Sequence, residues 1–182
     1  MAGPGRKNLT VREGRDFITT FAFGEPGARK IEDLVITSSS TTATSATAEF
    51  TSADTGKKLV VIDGVGITDG TTMTYVSATQ VTLSAAATAT RSNVAAVVRG
   101  INCSAYTGHA AEWRNTEDAA TAVATFTVDD SRAAVGIFEI TLDAASTAAA
   151  TRSGVWDWKV TGPNGDTNWI EGKVIFKKTV TE

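Results

Sequence analysis

Apolar and polar side chains alternate near the start of the chain. Leu9 and Val11 lie two residues apart, and the phenylalanines of residues 17–23 continue the same period of two. This period is typical of strands that bury one face, because successive side chains of a strand point to opposite faces. Gly14 and the run Glu25-Pro26-Gly27 have the composition of turns. The pattern therefore predicts short strands joined by turns.

The middle of the chain consists of short apolar runs separated by turn residues. Leu34-Val35-Ile36 predicts a strand, and the Ser/Thr/Ala tract that follows it, Thr37 to Thr47, predicts either an extended edge or a loop. Turn signals occur at Asp54-Thr55-Gly56, Asp63-Gly64 and Asp69-Gly70. Further strands are predicted around these turns, at Lys58 to Asp63, Met73 to Val76 and Thr79 to Ser84. This order predicts a small β-meander.

The second half opens with an apolar run at Val94 to Val98 and continues with a succession of strands. These strands are predicted at Ala110 to Asn115, Ala122 to Val128, Gly136 to Leu142, Val155 to Thr161 and Trp169 to Lys177. Such a succession argues for a sandwich. The run Thr161 to Asp166 contains Pro-Asn-Gly and predicts a hairpin turn. Asp143 to Arg152 is rich in Ala and predicts a helical turn, with Asp143 or Ser146 as its N-cap.

Composition and charge narrow the classes of partner. The chain is 42% hydrophobic and 20% charged, as in globular proteins. Its formal net charge is −3, so no large positive field attracts nucleic acid or an anionic membrane. Basic residues interrupt any apolar leader after Met1, and no apolar run reaches the roughly 20 residues that a membrane helix needs. We expect a protein made in the cytoplasm, with neither nucleic acid nor membrane as a partner.

Residues that carry chemistry are few in this sequence. Cys103 and His109 are its only cysteine and histidine, which argues against a zinc site and against nucleophilic catalysis with a histidine base. Gly56-Lys57-Lys58 lacks the first glycine and the hydroxyl residue of a phosphate-binding loop. Asp129-Asp130 has the composition of a solvent-facing turn. We therefore predict no enzymatic activity, no catalytic residue, no metal and no cofactor.

The tryptophans are the candidate interface residues. Trp156 and Trp158 lie two residues apart and share one face of a predicted strand, while Trp113 and Trp169 lie on neighbouring predicted strands. If that face points inward, the tryptophans belong to the core. If it points outward, an aromatic strip would bind a protein or a carbohydrate. The sequence favours core or subunit contact over sugar binding.

Several segments from residue 101 onward follow one another in a recognisable order. Residues 101–107, Ile-Asn-Cys-Ser-Ala-Tyr-Thr, resemble an Asp-Leu-Thr-Gly-Tyr turn that precedes a strand, with Asn102, Cys103 and Ala105 as departures. Phe126-Thr127-Val128, Gly136 to Leu142, Gly154 to Val160 and Glu171 to Val174 follow. Together they resemble a small β-sandwich module of tailed-phage virion proteins, which occurs in upper-baseplate and short head-associated proteins. Val11 to Phe23 resembles its first strands.

The long stretch between Val11 to Phe23 and the segments from residue 101 onward predicts an insertion. Loops tolerate long insertions because the entropy of loop closure grows only with the logarithm of length. Phe50 to Lys57 and Thr79 to Ser84 resemble a β-module of tail-fibre and tailspike proteins. The predicted fold is all-β: an immunoglobulin-like β-sandwich of residues 8–33 plus 101–182, an inserted β-rich subdomain of residues 34–100, and a flexible N-terminal arm of residues 1–7.

The resemblances imply a non-enzymatic structural protein of a tailed-bacteriophage virion, assembled in the host cytoplasm. We expect a capsid decoration or minor capsid protein that binds the head lattice through the major capsid protein or other virion proteins. A tail or baseplate protein and a receptor- or carbohydrate-binding module are the alternatives. A homo-oligomer is expected, and a trimer would match the local symmetry of an icosahedral shell.

Overall fold

Strands dominate the computed structural model, which describes residues 5–178. Strand accounts for 55% of the structure and helix for 7%, so the predicted all-β class is confirmed. In chain order the strands are β1 (Gly5–Arg6), β2 (Leu9–Arg12), β3 (Phe17–Ala22), β4 (Gly24–Ile36), β5 (Thr42–Thr44), β6 (Lys58–Val61), β7 (Met73–Ser77), β8 (Gln80–Leu83), β9 (Arg91–Gly100), β10 (Thr107–Arg114), β11 (Ala122–Asp129), β12 (Ile137–Leu142), β13 (Gly154–Gly162) and β14 (Gly165–Lys177). Helical structure comprises α1 (Ala144–Ala149) and the 3₁₀ turns Ser52–Asp54 and Ala133–Val135.

The first sheet has eight strands in the order β1-β14-β13-β10-β11-β12-β3, and β2 also pairs with β14. Both β1 and β2 run parallel to β14, whereas the pairs β14–β13, β13–β10 and β10–β11 are antiparallel. Only four residues, 13–16, connect β2 at one end of this order to β3 at the other. So short a connection requires the sheet to curl, because the chain spans at most about 3.3–3.6 Å per residue.

The second sheet has six strands in the order β6-β9-β4-β5-β8-β7. Its first and last strands meet, because Leu59 N–H donates to the Thr71 carbonyl at 3.1 Å and Met73 N–H donates to the Lys57 carbonyl at 2.9 Å. An isolated bridge pairs Lys58 with Thr72. The sheet therefore curls until its edges are hydrogen-bonded to each other, around a core of aliphatic side chains with Phe50 and Met73.

The chain folds into two compact units. The first unit comprises the described residues of Met1–Thr19, Ala105–Asp129 and Glu139–Glu182, and the second comprises Thr20–Ser104 and Asp130–Phe138. The predicted domains, 8–33 plus 101–182 and 34–100, have other bounds and stay a prediction. Of the predicted flexible arm, residues 1–4 lie outside the described residues, and Gly5–Arg6 form β1.

Local structure confirms the strands predicted in the second half and their hairpin. Gly162 pairs with Gly165, so Pro163 and Asn164 form the turn, and Gly165 takes the positive φ of 96°. Helix α1 is also confirmed. Its N-cap is Asp143, whose side chain accepts a hydrogen bond from Ser146 N–H.

One prediction about the first half is wrong. The run Glu25-Pro26-Gly27 is not a turn but a bulge inside the continuous strand β4, between the pairs Gly24–Gly100 and Arg29–Val98. Pro26 has no N–H to donate, and Gly27 takes a φ of 83°, so the pairing skips these residues. The tract Thr37 to Thr47, predicted as an extended edge or a loop, is mostly loop; its one short strand, β5, lies between β4 and β8 with Ala43 fully buried.

Candidate functional site

Three of the four predicted interface tryptophans lie in the interior of the first unit. Trp113 and Trp158 are 0% exposed and Trp156 is 2% exposed. On β13 the tryptophans alternate with Asp157 and Lys159, which point to the other face. Of the two orientations that the sequence left open, the structure has the inward one, and β13 presents no exposed aromatic strip.

Trp156 joins the interior of this unit to its N-terminal segment. Its indole N–H donates a hydrogen bond to the carbonyl oxygen of Lys7 at 2.7 Å. Trp113 is its neighbour across the strand pair β10–β13, and its indole N–H has no hydrogen-bond acceptor among the described residues. The Trp156 ring packs edge-to-face on Phe126 at a centroid distance of 6.0 Å.

Trp169 belongs to a half-buried aromatic group that we define as Tyr106, His109, Trp158 and Trp169. The ring centroids of Tyr106 and Trp169 are 4.8 Å apart, and those of Trp158 and Trp169 are 5.3 Å apart. The Trp158 indole N–H donates to Nδ1 of His109 at 3.3 Å. Tyr106, His109 and Trp169 are each partly exposed, whereas Trp158 forms the buried base of the group.

Irregular strand pairing brings this group together. The register between β13 and β14 passes from Trp158–Ile170 to Lys159–Asn168, so Trp169 is the extra residue of a bulge. Bulges redirect side chains, which accounts for Trp169 reaching Trp158. A side chain at Gly162 would overlap the ring of Tyr106, so this ring requires glycine there.

The first unit also carries a charged groove of about 490 Å³. Both signs of charge line it, from Arg6, Arg114, Lys159, Lys173, Glu117, Asp157 and Glu171. Asp157 lies 3.8 Å from the guanidinium of Arg114 and 3.6 Å from the amine of Lys159. Arg6 lies 3.4 Å from Glu171. Alternating charges of this kind give specificity for a complementary polar surface more than affinity.

The second unit contains a buried carboxylate, Asp54, between two arginines. Asp54 is 0% exposed and accepts hydrogen bonds from Arg99 Nε at 2.6 Å and Arg29 Nη2 at 2.9 Å. The Thr51 N–H also donates to it. Burial raises the pKa of Asp54, but the hydrogen bonds from Arg29 and Arg99 outweigh burial and hold this pKa well below its usual value. The arrangement stabilises the unit. Both arginines are paired with Asp54 and are therefore not free to bind an anionic ligand.

The other sequence candidates lie apart from any cluster of ligands. Cys103 is 5% exposed, and burial raises the pKa of its thiol. Residues 5–178 hold no group of three or more His, Cys, Asp or Glu side chains placed to bind a metal ion. Within the same range no helix is long and apolar enough to cross a membrane.

Comparison with known proteins adds no assignment. No protein-family model and no curated protein matches the chain.

The sequence pattern identifies Trp158 and Trp169 as candidates but not Tyr106 or the groove. Tyr106 has the sequence context of a turn residue. The charged face has a signal in the sequence, because Asp157 and Lys159 alternate with the buried tryptophans and Glu171 and Lys173 follow at the same period. The bulge at Trp169 has no such signal, because the spacing of residues 165–177 does not show where pairing shifts.

Proposed function

We propose that the protein is a non-enzymatic structural component of a tailed-phage virion, built from an immunoglobulin-like β-sandwich with an inserted β-unit. The order of segments after Ile101 that resembles the virion module is the sequence support for this proposal. One structural observation carries it further, namely the set of strand partners in the first sheet.

Several of these partners match those of an immunoglobulin fold, which supports the proposed sandwich. That fold joins strands B, E and D in one sheet and strands C, F and G in the other. Here β3 pairs with β12 and β12 with β11, while β10 pairs with β13 and β13 with β14. With β3 as strand B and β10 as strand C, strands β4–β9 occupy the B–C connection. Two differences are the pairing of β10 with β11 and of β1 and β2 with β14.

A buried tryptophan supports the same correspondence. Immunoglobulin domains carry a tryptophan on strand C that packs in the core. Trp113 occupies β10 and is 0% exposed. Its ring centroid is 5.8 Å from that of Phe176 on β14. Because these tryptophans are buried, they stabilise the fold and are not available for binding. We infer a scaffold that binds its partners through its outer faces.

Assembly on a repeated lattice requires surfaces with specific charge and shape rather than a reactive centre. The charged groove is such a surface on the first unit. We favour attachment to the head, as a decoration or minor capsid protein, with the major capsid protein as the partner. Attachment to the tail or baseplate is the alternative within the same class.

Electron cryomicroscopy of mixtures tests the proposal. Purified protein is mixed with undecorated phage heads and, separately, with tail assemblies, and each mixture is imaged for added density. Regular density on heads supports decoration, and density confined to tails supports the tail or baseplate role. Absence of density on both would contradict the virion role. The same imaging is then done with the variants Lys159→Glu, in the groove, and Tyr75→Ala, at an exposed position of the second unit. Loss of density in Lys159→Glu alone would place the contact in the groove.

The aromatic group favours a second candidate, a receptor- or carbohydrate-binding module. Partly exposed rings stack on the apolar faces of sugars, and two polar residues precede Trp169 closely in the sequence, Asn168 directly and Asp166 by three positions. To test this candidate, the protein is titrated with a panel of glycans, and binding is measured by NMR or calorimetry. Binding that is lost in Trp169→Ala but kept in Tyr75→Ala would favour it, because Tyr75 is an exposed aromatic residue of the second unit.

A further inference from the structure

The edge of β14 that faces away from β13 binds an extended segment, and the same contacts could be made by that segment from another chain. The segment is residues 5–12, which form β1 and β2 parallel to β14. Leu9 is 2% exposed and Val11 is 0% exposed, so both side chains are inserted into the unit. Thr10 and Arg12 point away from it. An Asn-Leu-Thr-Val stretch is thus held as an added strand.

Specific groups on the accepting side recognise the backbone of the segment. Lys7 N–H donates to the Glu171 carbonyl at 2.9 Å, and the Trp156 indole donates to the Lys7 carbonyl at 2.7 Å. Lys173 N–H donates to the side-chain oxygen of Asn8 at 3.0 Å. Gly172 lets the Lys7 carbonyl approach, because a side chain there would overlap it. These contacts form a built site for a strand.

The connection between β2 and the rest of the chain contains one residue that can act as a hinge, Gly14. Arg15 and Asp16 are fixed to α1, because the Thr147 hydroxyl donates to the Arg15 carbonyl at 2.9 Å and Ala144 N–H donates to Asp16 at 2.8 Å. Gly14 lies between these anchors and β2, has a φ of 63°, and faces open space. Glycine takes positive and negative φ with similar ease, so a change at Gly14 alone redirects the segment.

We propose that residues 5–12 are exchanged between two copies of this chain, each copy placing its segment on the β14 edge of the other. Exchange of an identical element reproduces every contact of the closed form and is a low-cost route to a dimer. This proposal goes beyond the virion role and does not depend on it.

Exposed apolar side chains identify a second copy as the partner. In the described part of the first unit, the large apolar side chains that are exposed are Ile18, at 62%, and Ile175, at 44%. Ile18 follows the connection on β3, and Ile175 pairs with Thr10 across the β14–β2 register. Ile175 therefore lies beside the exchanged segment and Ile18 follows it closely in the chain, and a second copy would cover them. Arg6 and Asn8 line the charged groove, so exchange would also complete each groove with residues of the other copy.

Disulfide trapping tests the proposal on the purified full chain. The variant Thr10→Cys/Ile175→Cys, in a Cys103→Ala background, places two thiols on paired residues with exposed side chains. Adjacent strands lie about 4.7–4.9 Å apart, which suits a disulfide. The protein is incubated at rising concentration, oxidised, and separated on a non-reducing gel. Exchange predicts a covalent product at twice the 18.9 kDa chain mass, in a fraction that rises with concentration.

A variant of the hinge residue and a control for folding complete the test. Gly14→Pro in the same background removes the positive φ and is expected to increase the covalent dimer several-fold. Circular dichroism confirms that each variant retains its strand content. Crosslinks confined to single chains at every concentration, in both variants, would overturn the proposal. Failure of the cysteines to crosslink at all would overturn it too, because it would remove the strand pairing on which exchange depends.

Discussion

The indole N–H of Trp156 donates to the carbonyl oxygen of Lys7 at 2.7 Å and so ties the interior of the first unit to its N-terminal segment. Replacing Trp156 by Phe removes this hydrogen bond and leaves an aromatic ring in place. We expect the free energy of unfolding to fall by about 1 kcal/mol more than ring shrinkage alone would cause. Urea unfolding followed by circular dichroism measures the change.

Trp113→Phe is the matched control for this change. It removes the same ring volume from the same interior, but the Trp113 indole has no acceptor among the described residues. The two variants therefore differ in the hydrogen bond and share the loss of packing. Equal destabilisation of both would show that the bond to Lys7 contributes nothing measurable.

A second prediction concerns the close approach of the N-terminal segment to Gly172. A Cβ at this position would overlap the Lys7 carbonyl, so Gly172→Ala forces the segment away from β14. We expect a loss of about 1–3 kcal/mol, as for other overpacked sites. Hydrogen exchange should show faster exchange of the Lys7 and Val11 amides. Gly5→Ala is the control, because its nearest neighbour, the Trp169 carbonyl, would lie at an ordinary 3.5 Å.

The strands of the second half are predictable because each shows a period of two and ends at turn residues. Trp156 and Trp158 illustrate this, since their spacing alone places them on one face. Whether that face points inward depends on the strands that cover it. One contact that fixes this orientation is the hydrogen bond from the Trp156 indole to the carbonyl of Lys7, which lies 149 residues earlier in the chain. Long-range pairing of this kind leaves no local signal.

The second unit is harder to predict for the same reason. Asp54 has the sequence context of a turn residue, yet it is a buried carboxylate between Arg29 and Arg99, which lie 25 and 45 residues away. The bulge at Gly27 has the composition of a turn because the same residue types serve both. Closure of the second sheet depends on hydrogen bonds between residues 57–59 and 71–73, whose partners cannot be read from periodicity.

Asp54 provides the third prediction. Removing one partner of a buried ion pair leaves the other charges uncompensated, so Asp54→Asn should lower the free energy of unfolding by about 3–5 kcal/mol. Asp63→Asn is the control. Asp63 also pairs with an arginine, Arg91, at 2.6 Å, but its side chain is 52% exposed, and such pairs contribute about 0–1 kcal/mol. A comparable loss in both variants would contradict the buried role of Asp54.

The pH dependence of stability follows from the same carboxylate. The pKa of Asp54 is lower in the folded protein than in the unfolded chain. Its contribution is therefore fully present above the unfolded pKa of about 4 and is lost as pH falls towards the folded pKa. Urea unfolding of wild type and Asp54→Asn at pH 7, 5, 3 and 2 should show a constant difference at the two higher values. The difference should shrink at the two lower ones; persistence at pH 2 would contradict the assignment.

Arg132 holds residues 130–138 to the remainder of the second unit and carries the last prediction. Its guanidinium donates to the Asp69 carboxylate at 2.7 and 2.8 Å, and to the carbonyl oxygens of Val61 at 2.7 Å and Ile62 at 2.5 Å. The compact amine of lysine cannot reach all of these acceptors, so Arg132→Lys should cost about 2–3 kcal/mol although the charge is kept.

Hydrogen exchange locates the effect of Arg132→Lys. The Cys103 and Phe23 amides donate to the carbonyls of Ala133 and Gly136, so both should exchange faster when residues 130–138 are released. Arg6→Lys is the control, because the Arg6 side chain is 86% exposed and its pairing with Glu171 at 3.4 Å is expected to matter little. If Arg132→Lys left both amides protected, the geometry of the guanidinium would be dispensable, and charge alone would hold the segment.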